Sequence, residues 1–251
     1  MIDRSKAEAP LRTEAEREAA ARYARIFAES PDNVETKLQH FPKYVRRQDL
    51  TRLLARYEVF KKVLDVKGSI VECGVYRGFG LMAWANFSAI VEPANLTRRI
   101  YGFDSFRGLT AIGDKDGNRV RAVREGDLGA DSYDELRELI AIYDSNRFLG
   151  HIQKVELVRG DATSTIPAFV ERNPHLVVSL LFLDFDLYEP TRVALEHFVP
   201  RMPRGAVIAF DELDNPIWPG ETLALVETLG VSRLRLQRLE WDPYIAYGVV
   251  E

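Results

Sequence analysis

Two acids one residue apart close an apolar run at 181–189, LFLDFDLYE. A strand points residues i and i+2 to the same face. A pleat kept through residue 186 therefore projects Asp184 and Asp186 together from the strand tip. A second apolar run, 206–210, ends in Asp211 and Glu212. Two buried strands with such ends bring four carboxylates to one sheet edge, a set of hard oxygen donors suited to a divalent metal. Glu72 lies inside a third apolar run, SIVEC (69–73), and a buried carboxylate there needs partners, such as a ligand's amino group or loop amides. Gly74, Gly78 and Gly80 follow as G-x-x-x-G-x-G and lead into a helical stretch. Such glycines let the backbone approach a ligand, and the helix start favours negative charge on it. The spacing is not the G-x-G-x-x-G of dinucleotide sites, which argues against a nicotinamide oxidoreductase. Asp104 closes RIYGFD (99–104), where nucleotide-binding α/β folds hold ribose hydroxyls; capping of the next segment is the alternative. Asp161 and Ala162 follow KVELV (154–158).

Alternating strands and helices must position these residues. Residues 7–30 read as a helix started or broken near Pro10, with Ala20, Tyr23, Ile26 and Phe27 at helical spacing. That face packs on the domain flank, or else makes a dimer contact or a cap over the site. Residues 49–64 read as an amphipathic helix with Leu53, Leu54, Tyr57, Phe60 and Val63 on one face and Asp49 as N-cap. Lys43, Arg46 and Arg47 precede it, a solvated cluster or a phosphate site. The 105–153 segment is polar and glycine-rich, as substrate loops are, before a helix capped by Asp131 or Ser132. The spacing further predicts a helix near 166–172, a strand at 175–184, helices at 192–202 and 221–230, and two final strands, LRLQRLE and AYGVV, paired as a hairpin. The sum is a doubly wound, mostly parallel α/β sheet of seven strands, residues 67–251, behind a helical extension, residues 1–66. Ligands bind such sheets beyond the carboxyl ends of the strands. Five strands in a row place an acid there, counting Glu72 for the first.

Bulk properties narrow the class. The 251 residues carry a net charge of −4, which argues against a broad basic surface for nucleic acid and leaves room for a local basic patch. The single cysteine, Cys73, forms no internal disulfide and reads as an inert core thiol. No membrane-length apolar run and no leader-like start occur, so a cytoplasmic location is expected. The four histidines show no ligand spacing. Trp84 and Trp241 read as core; Trp218 and Tyr188 read as packing or substrate contacts.

The segments ECGVYRG (72–78), YGFDSFRGL (101–109), VRGDATSTIP (158–167), LFLDFDLYEPT (181–191) and GAVIAFDE (205–212) together resemble class I S-adenosylmethionine-dependent methyltransferases. More narrowly they are similar to the macrocin O-methyltransferase (TylF/MycF-type) family, from about Phe41 to the C-terminus. The resemblance implies a Rossmann-like fold, a Mg²⁺ cofactor beside S-adenosylmethionine, and a sugar hydroxyl as acceptor. It implies that Glu72, Gly74 and Tyr76 line the methionine end of the cofactor, Asp104 and Ser105 the ribose, and Asp161 and Ala162 the adenine. Asp184, next to the cofactor, would hold the metal with Asp211 and Glu212. Asp186 would be the general base, or an acid that orients the substrate. Glu212 departs from the family's second aspartate. FDELDNPIWPGET (210–222) is more similar to the branch acting on nucleotide-linked deoxysugars, so the sugar is dTDP-linked or already attached to a natural product. A homo-oligomer is expected through the N-terminal helix. A catechol-type O-methyltransferase and a non-catalytic nucleotide-binding protein are the competing readings.

Overall fold

The computed structural model describes residues 13–110, 112–117 and 124–251. Its seven strands are β1 Ser69–Cys73, β2 Ile100–Asp104, β3 Val155–Arg159, β4 Val178–Leu183, β5 Val207–Phe210, β6 Gln237–Arg238 and β7 Ala246–Val249. They form one sheet in the order β3-β2-β1-β4-β5-β7-β6. β1 pairs in parallel with both β2 and β4, so the topology reverses between β1 and β4. That reversal opens a crevice at the strands' carboxyl ends. β7 runs antiparallel to β5 and to β6, giving the expected terminal hairpin.

Eight α-helices are described: α1 Glu14–Glu29, α2 Val34–Gln39, α3 Arg47–Lys61, α4 Phe79–Val91, α5 Tyr133–Ser145, α6 Ala162–Arg172, α7 Tyr188–Phe198 and α8 Pro219–Thr228. Strand alternation sorts the core into two halves. Ile70, Ile100, Leu180 and Phe182 face α3, α4 and α5. Val71, Phe103, Leu181 and Phe210 face α6, α7 and α8. β4 is buried along its whole length, which is why it reads as one unbroken apolar run. Among the described residues no helix is long and apolar enough to cross a membrane.

Several expectations change. Pro10 lies outside the described residues, and α1 starts at a capping box between Thr13 and Glu16. α1 buries none of its residues, and Tyr23, Ile26 and Phe27 stay exposed, so the expected flank packing is not made. α3 instead belongs to the body through Ala55, Arg56, Val59 and Phe60, whereas Leu54 is 55% exposed. The stripe is rotated because Arg56 takes a core position that a charge was not expected to fill. Asp49 does not cap α3; Arg46 holds the cap position and its guanidinium binds Asp49. Ser132 precedes α5 but makes no side-chain cap bond; its hydroxyl donates to the Tyr76 carbonyl at 2.5 Å. α6 starts four residues before 166, and α7 carries Pro190 in its first turn, where a missing N–H costs nothing.

Candidate active site

The glycine turn after β1 sets the site. Gly74 has φ +95°, and a Cβ there would overlap the Asp184 carbonyl at the end of β4, so two strand tips meet only at a glycine. Asp104 at the tip of β2 braces this turn. Its Oδ2 accepts from the amides of Val75 and Tyr76 at 2.8 and 2.7 Å, and its Oδ1 from that of Phe106 at 2.6 Å. Burial pushes the Asp104 carboxyl up, and these three amides oppose the rise. Gly80, in the first turn of α4, leaves room for Glu72: a Cβ there would overlap Glu72 Oε1. Glu72 is 1% exposed and its Oε2 has no hydrogen-bond partner. Burial pushes its carboxyl well above the ordinary range, opposed by the nearby Arg56.

The acids of the next two strands behave differently from a simple pleat. β4 ends at Leu183, and Asp186 takes φ +62°. The pleat therefore breaks before 186, and the shared strand face expected for Asp184 and Asp186 does not form. Asp184 Oδ2 lies 3.6 Å from Arg56 Nη2, and Arg52 binds Asp211 Oδ1. One turn apart on α3, these arginines reach the ends of two adjacent strands. A fifth acid, Glu221 of α8, was not foreseen. It is fully buried, and its oxygens accept from the Asp186 and Glu212 amides, each at 3.2 Å. It thereby ties the loop after β4 to the loop after β5. Burial, reinforced by the charges of Asp186, Asp184, Glu212 and Asp211, pushes the Glu221 carboxyl well above its usual range. The only sequence signal was an acid within an otherwise apolar helix start, PGETLAL.

The donor chemistry of Asp184, Asp211 and Glu212 suits Mg²⁺, and side chains of the protein itself engage all three. Arg52 holds Asp211, Arg56 faces Asp184, and Asn215 donates to Glu212. Asp211 and Glu212 lie behind the wall of the crevice, outside its lining. Among the described residues no three His, Cys, Asp or Glu side chains converge as metal ligands.

The crevice itself is a cavity of about 700 Å³. One half is lined by Glu72, Gly74, Tyr76, Asp104, Ser105 and Ala162. The other is lined by α3 and by the loop between β6 and β7, and Asp184 and Asp186 stand where the halves meet. Ser105 Oγ donates to the Gly108 carbonyl at 2.8 Å. Asp161 is exposed and caps α6 by accepting from the Thr163 amide at 2.9 Å, while its neighbours Gly160 and Ala162 line the cavity. Trp241, expected in the core, is 47% exposed on the cavity wall, because the hairpin loop that carries it projects beyond the sheet. Trp218 is buried against Leu109, Leu187 and Ile217. The Tyr188 hydroxyl donates to Glu227 at 2.7 Å. Cys73 is fully buried, which pushes its thiol well up.

The family model for macrocin O-methyltransferase (TylF) matches residues 45–225. The chain belongs to the macrocin O-methyltransferase family. Among solved structures, the family member matches CalS11, a calicheamicin methyltransferase, at 36% identity and TM-score 0.91, over 95% of this chain and 93% of that one. The apo structure of CalS11, described as a TDP-rhamnose 3'-O-methyltransferase, matches at 35% identity and TM-score 0.83, over 95% of each chain. A curated relative from Streptomyces olivaceus, 8-demethyl-8-(2,3-dimethoxy-alpha-L-rhamnosyl)-tetracenomycin-C 4'-O-methyltransferase, is 26% identical over 59% of this chain. The matched region spans about half, 53%, of that relative's length.

Proposed function

We propose that this macrocin O-methyltransferase family member transfers the methyl group of S-adenosylmethionine to a hydroxyl of a deoxysugar, nucleotide-linked or carried by a natural product, in the making of an antibiotic-type metabolite. One observation carries the reading: a single cavity joins a glycine-turn half, with a buried unpaired carboxylate oxygen on Glu72, to a half lined by α3 and the β6–β7 loop, with Asp184 and Asp186 at the junction. The CalS11 and tetracenomycin relatives act on rhamnose units by their descriptions, which supports a sugar acceptor.

The residues divide the work. Glu72 supplies a counter-charge for the cofactor's amino group. Asp104 holds the turn that the cofactor would lie against, and Ser105 and Ala162 would meet its ribose and adenine. Asp186 stands at the junction and takes the acceptor proton. S-adenosylmethionine, when bound, would supply the methyl group: the acceptor oxygen would bond the methyl carbon as the C–S bond breaks and its electron pair returns to sulfur. Held in line, the two reactants need little further help from the protein. The reading includes Mg²⁺ at Asp184, Asp211 and Glu212, which would lower the acceptor's pKa, although Arg52 and Arg56 compete for two of those acids. It also includes a homo-oligomer through the exposed face of α1, which sedimentation tests. The deciding assay is methyl transfer to a panel of deoxysugars, nucleotide-linked and glycosidic, with a catechol as counter-substrate. Asp186→Asn should lower kcat about 10²- to 10⁴-fold while S-adenosylhomocysteine affinity holds. Methylation of the catechol alone would overturn the sugar reading.

A further inference from the structure

The cavity extends past the reacting acids to a mouth between the first turn of α3 and the β6–β7 loop. Three features there have no use in the reaction above. The first is charge. Arg46 occupies the cap position of α3 and Arg47 its first helical position, and no side chain caps the helix. Both arginines line the cavity, and Arg47 is exposed. Cations at the positive end of a helix are unfavourable unless an anion joins them. Arg46 is set by two bonds to Asp49, at 3.0 and 2.8 Å. Lys43, third of the cations in this stretch, is turned away to Asp32 at 3.0 Å and is absent from the lining.

The second feature is an aromatic wall. Trp241 and Tyr244 line the mouth from the hairpin loop, with Trp241 half-exposed and Tyr244 beneath the Arg52 guanidinium at 5.5 Å. The third is an unpaired polar atom. Asp242 is 1% exposed; its Oδ1 accepts the Tyr244 and Ile245 amides, and its Oδ2 has no partner. The loop is thus rigidly held and still lacks one hydrogen-bond donor, which a hydroxyl or a base N–H supplies.

We infer that this mouth grips the nucleoside diphosphate of a nucleotide-linked sugar, with Arg46 and Arg47 on the diphosphate and Trp241 stacked on the base. The spacing agrees. From Arg47 to Arg52 and Arg56, which hold Asp211 and Asp184, the helix rises roughly 7 to 14 Å, the reach of a hexose ring and its diphosphate. Arginine forks suit phosphate oxygens, and an indole face accepts any base. The inference rests on the sugar reading above and narrows it to the nucleotide-linked class.

Calorimetry on the full chain with S-adenosylhomocysteine bound tests it, titrating thymidine diphosphate, pyrophosphate and thymidine. Thymidine diphosphate should bind, and Arg47→Ala should weaken it about tenfold, the loss of one charge-assisted contact. Trp241→Ala should weaken thymidine diphosphate and leave pyrophosphate unchanged, and Lys43→Ala should change neither. Retained S-adenosylhomocysteine affinity shows that each variant is folded. Absence of saturable thymidine diphosphate binding, or equal affinity in the Arg47 and Trp241 variants, overturns the site. The outcomes separate from turnover. A chain that binds the nucleotide yet methylates no sugar keeps the site and loses the function; one that methylates glycosides and ignores the nucleotide does the reverse.

Discussion

At Arg52 and Arg56, two side chains decide how the acids of the site are balanced. Arg56 is 3% exposed, and its flat cation lies over Phe182 at 4.7 Å and Phe79 at 5.3 Å while facing Asp184. A guanidinium keeps its charge in such a place where a lysine would lose it. Arg52 sits on a fully buried Asp211. A divalent cation drawn to the same oxygens must compete with it. Arg52→Met is therefore expected to tighten Mn²⁺ or Mg²⁺ binding several-fold in a titration with S-adenosylhomocysteine present; unchanged or weaker affinity would show that Arg52 does not compete. Neither arginine was legible as a site residue. Within a helical stretch, Arg52 and Arg56 look like any solvated cation, and the partner acid of Arg52 lies 159 positions away. The acids were legible because each follows an apolar run that only a buried strand explains. Their directions were not, since the positive φ at Asp186 has no sign in LFLDFDLYE.

Among elements, the joints matter more than the strands. Glu221 reaches back from α8 and closes two loops at once. Replacing it with Gln keeps one acceptor and sets an NH₂ group against a backbone amide. The expected cost is about 1–3 kcal/mol of stability for the unsatisfied pair, with kcat falling more than the cofactor affinity because the two acidic loops lose their common anchor. Denaturant melts and a kcat-against-KM comparison check this, and a variant of full stability and activity would remove Glu221 from the site. The β-α alternation and the closing hairpin followed from apolar spacing alone. The cap of α3 did not, because Asp49 is a plausible cap by type and only its pairing with Arg46 shows otherwise. The start of α6 was missed because Thr163, Ser164 and Pro167 read as a loop, yet Asp161 caps a helix that runs through them.

For the whole molecule, one buried lysine sets a pH dependence far from the site. Lys154 is 7% exposed and donates to the Asn95 carbonyl at 2.9 Å. Burial pushes it down to about 8 from an ordinary 10.5. Between these values the unfolded chain keeps a proton that the folded chain has released, so Lys154 makes stability rise with pH across that window. Below about 8 both states are charged, and the folded state bears the full burial cost. Other groups act in the same range: Tyr143, pushed up to about 12, makes stability fall above pH 10. The difference between wild type and Lys154→Met isolates the lysine. That difference in unfolding free energy should climb toward the wild type from pH 8 to 10; a flat difference would refute the assignment.

One contact between distant segments has a use of its own. α7 follows the reacting acids and has no side-chain cap from its own sequence. Its first amide, that of Tyr188, donates instead to buried Asp116 at 2.6 Å, across 72 positions of chain. Lys115 and Tyr188 fasten the same place to Glu227. The Tyr188 amide is thus a built-in reporter: its proton exchanges with solvent only when the stretch around Asp116 lifts. Heavy-water labelling read at that one amide therefore times the docking of this stretch, and Asp116→Asn should speed its exchange ahead of the rest of α7.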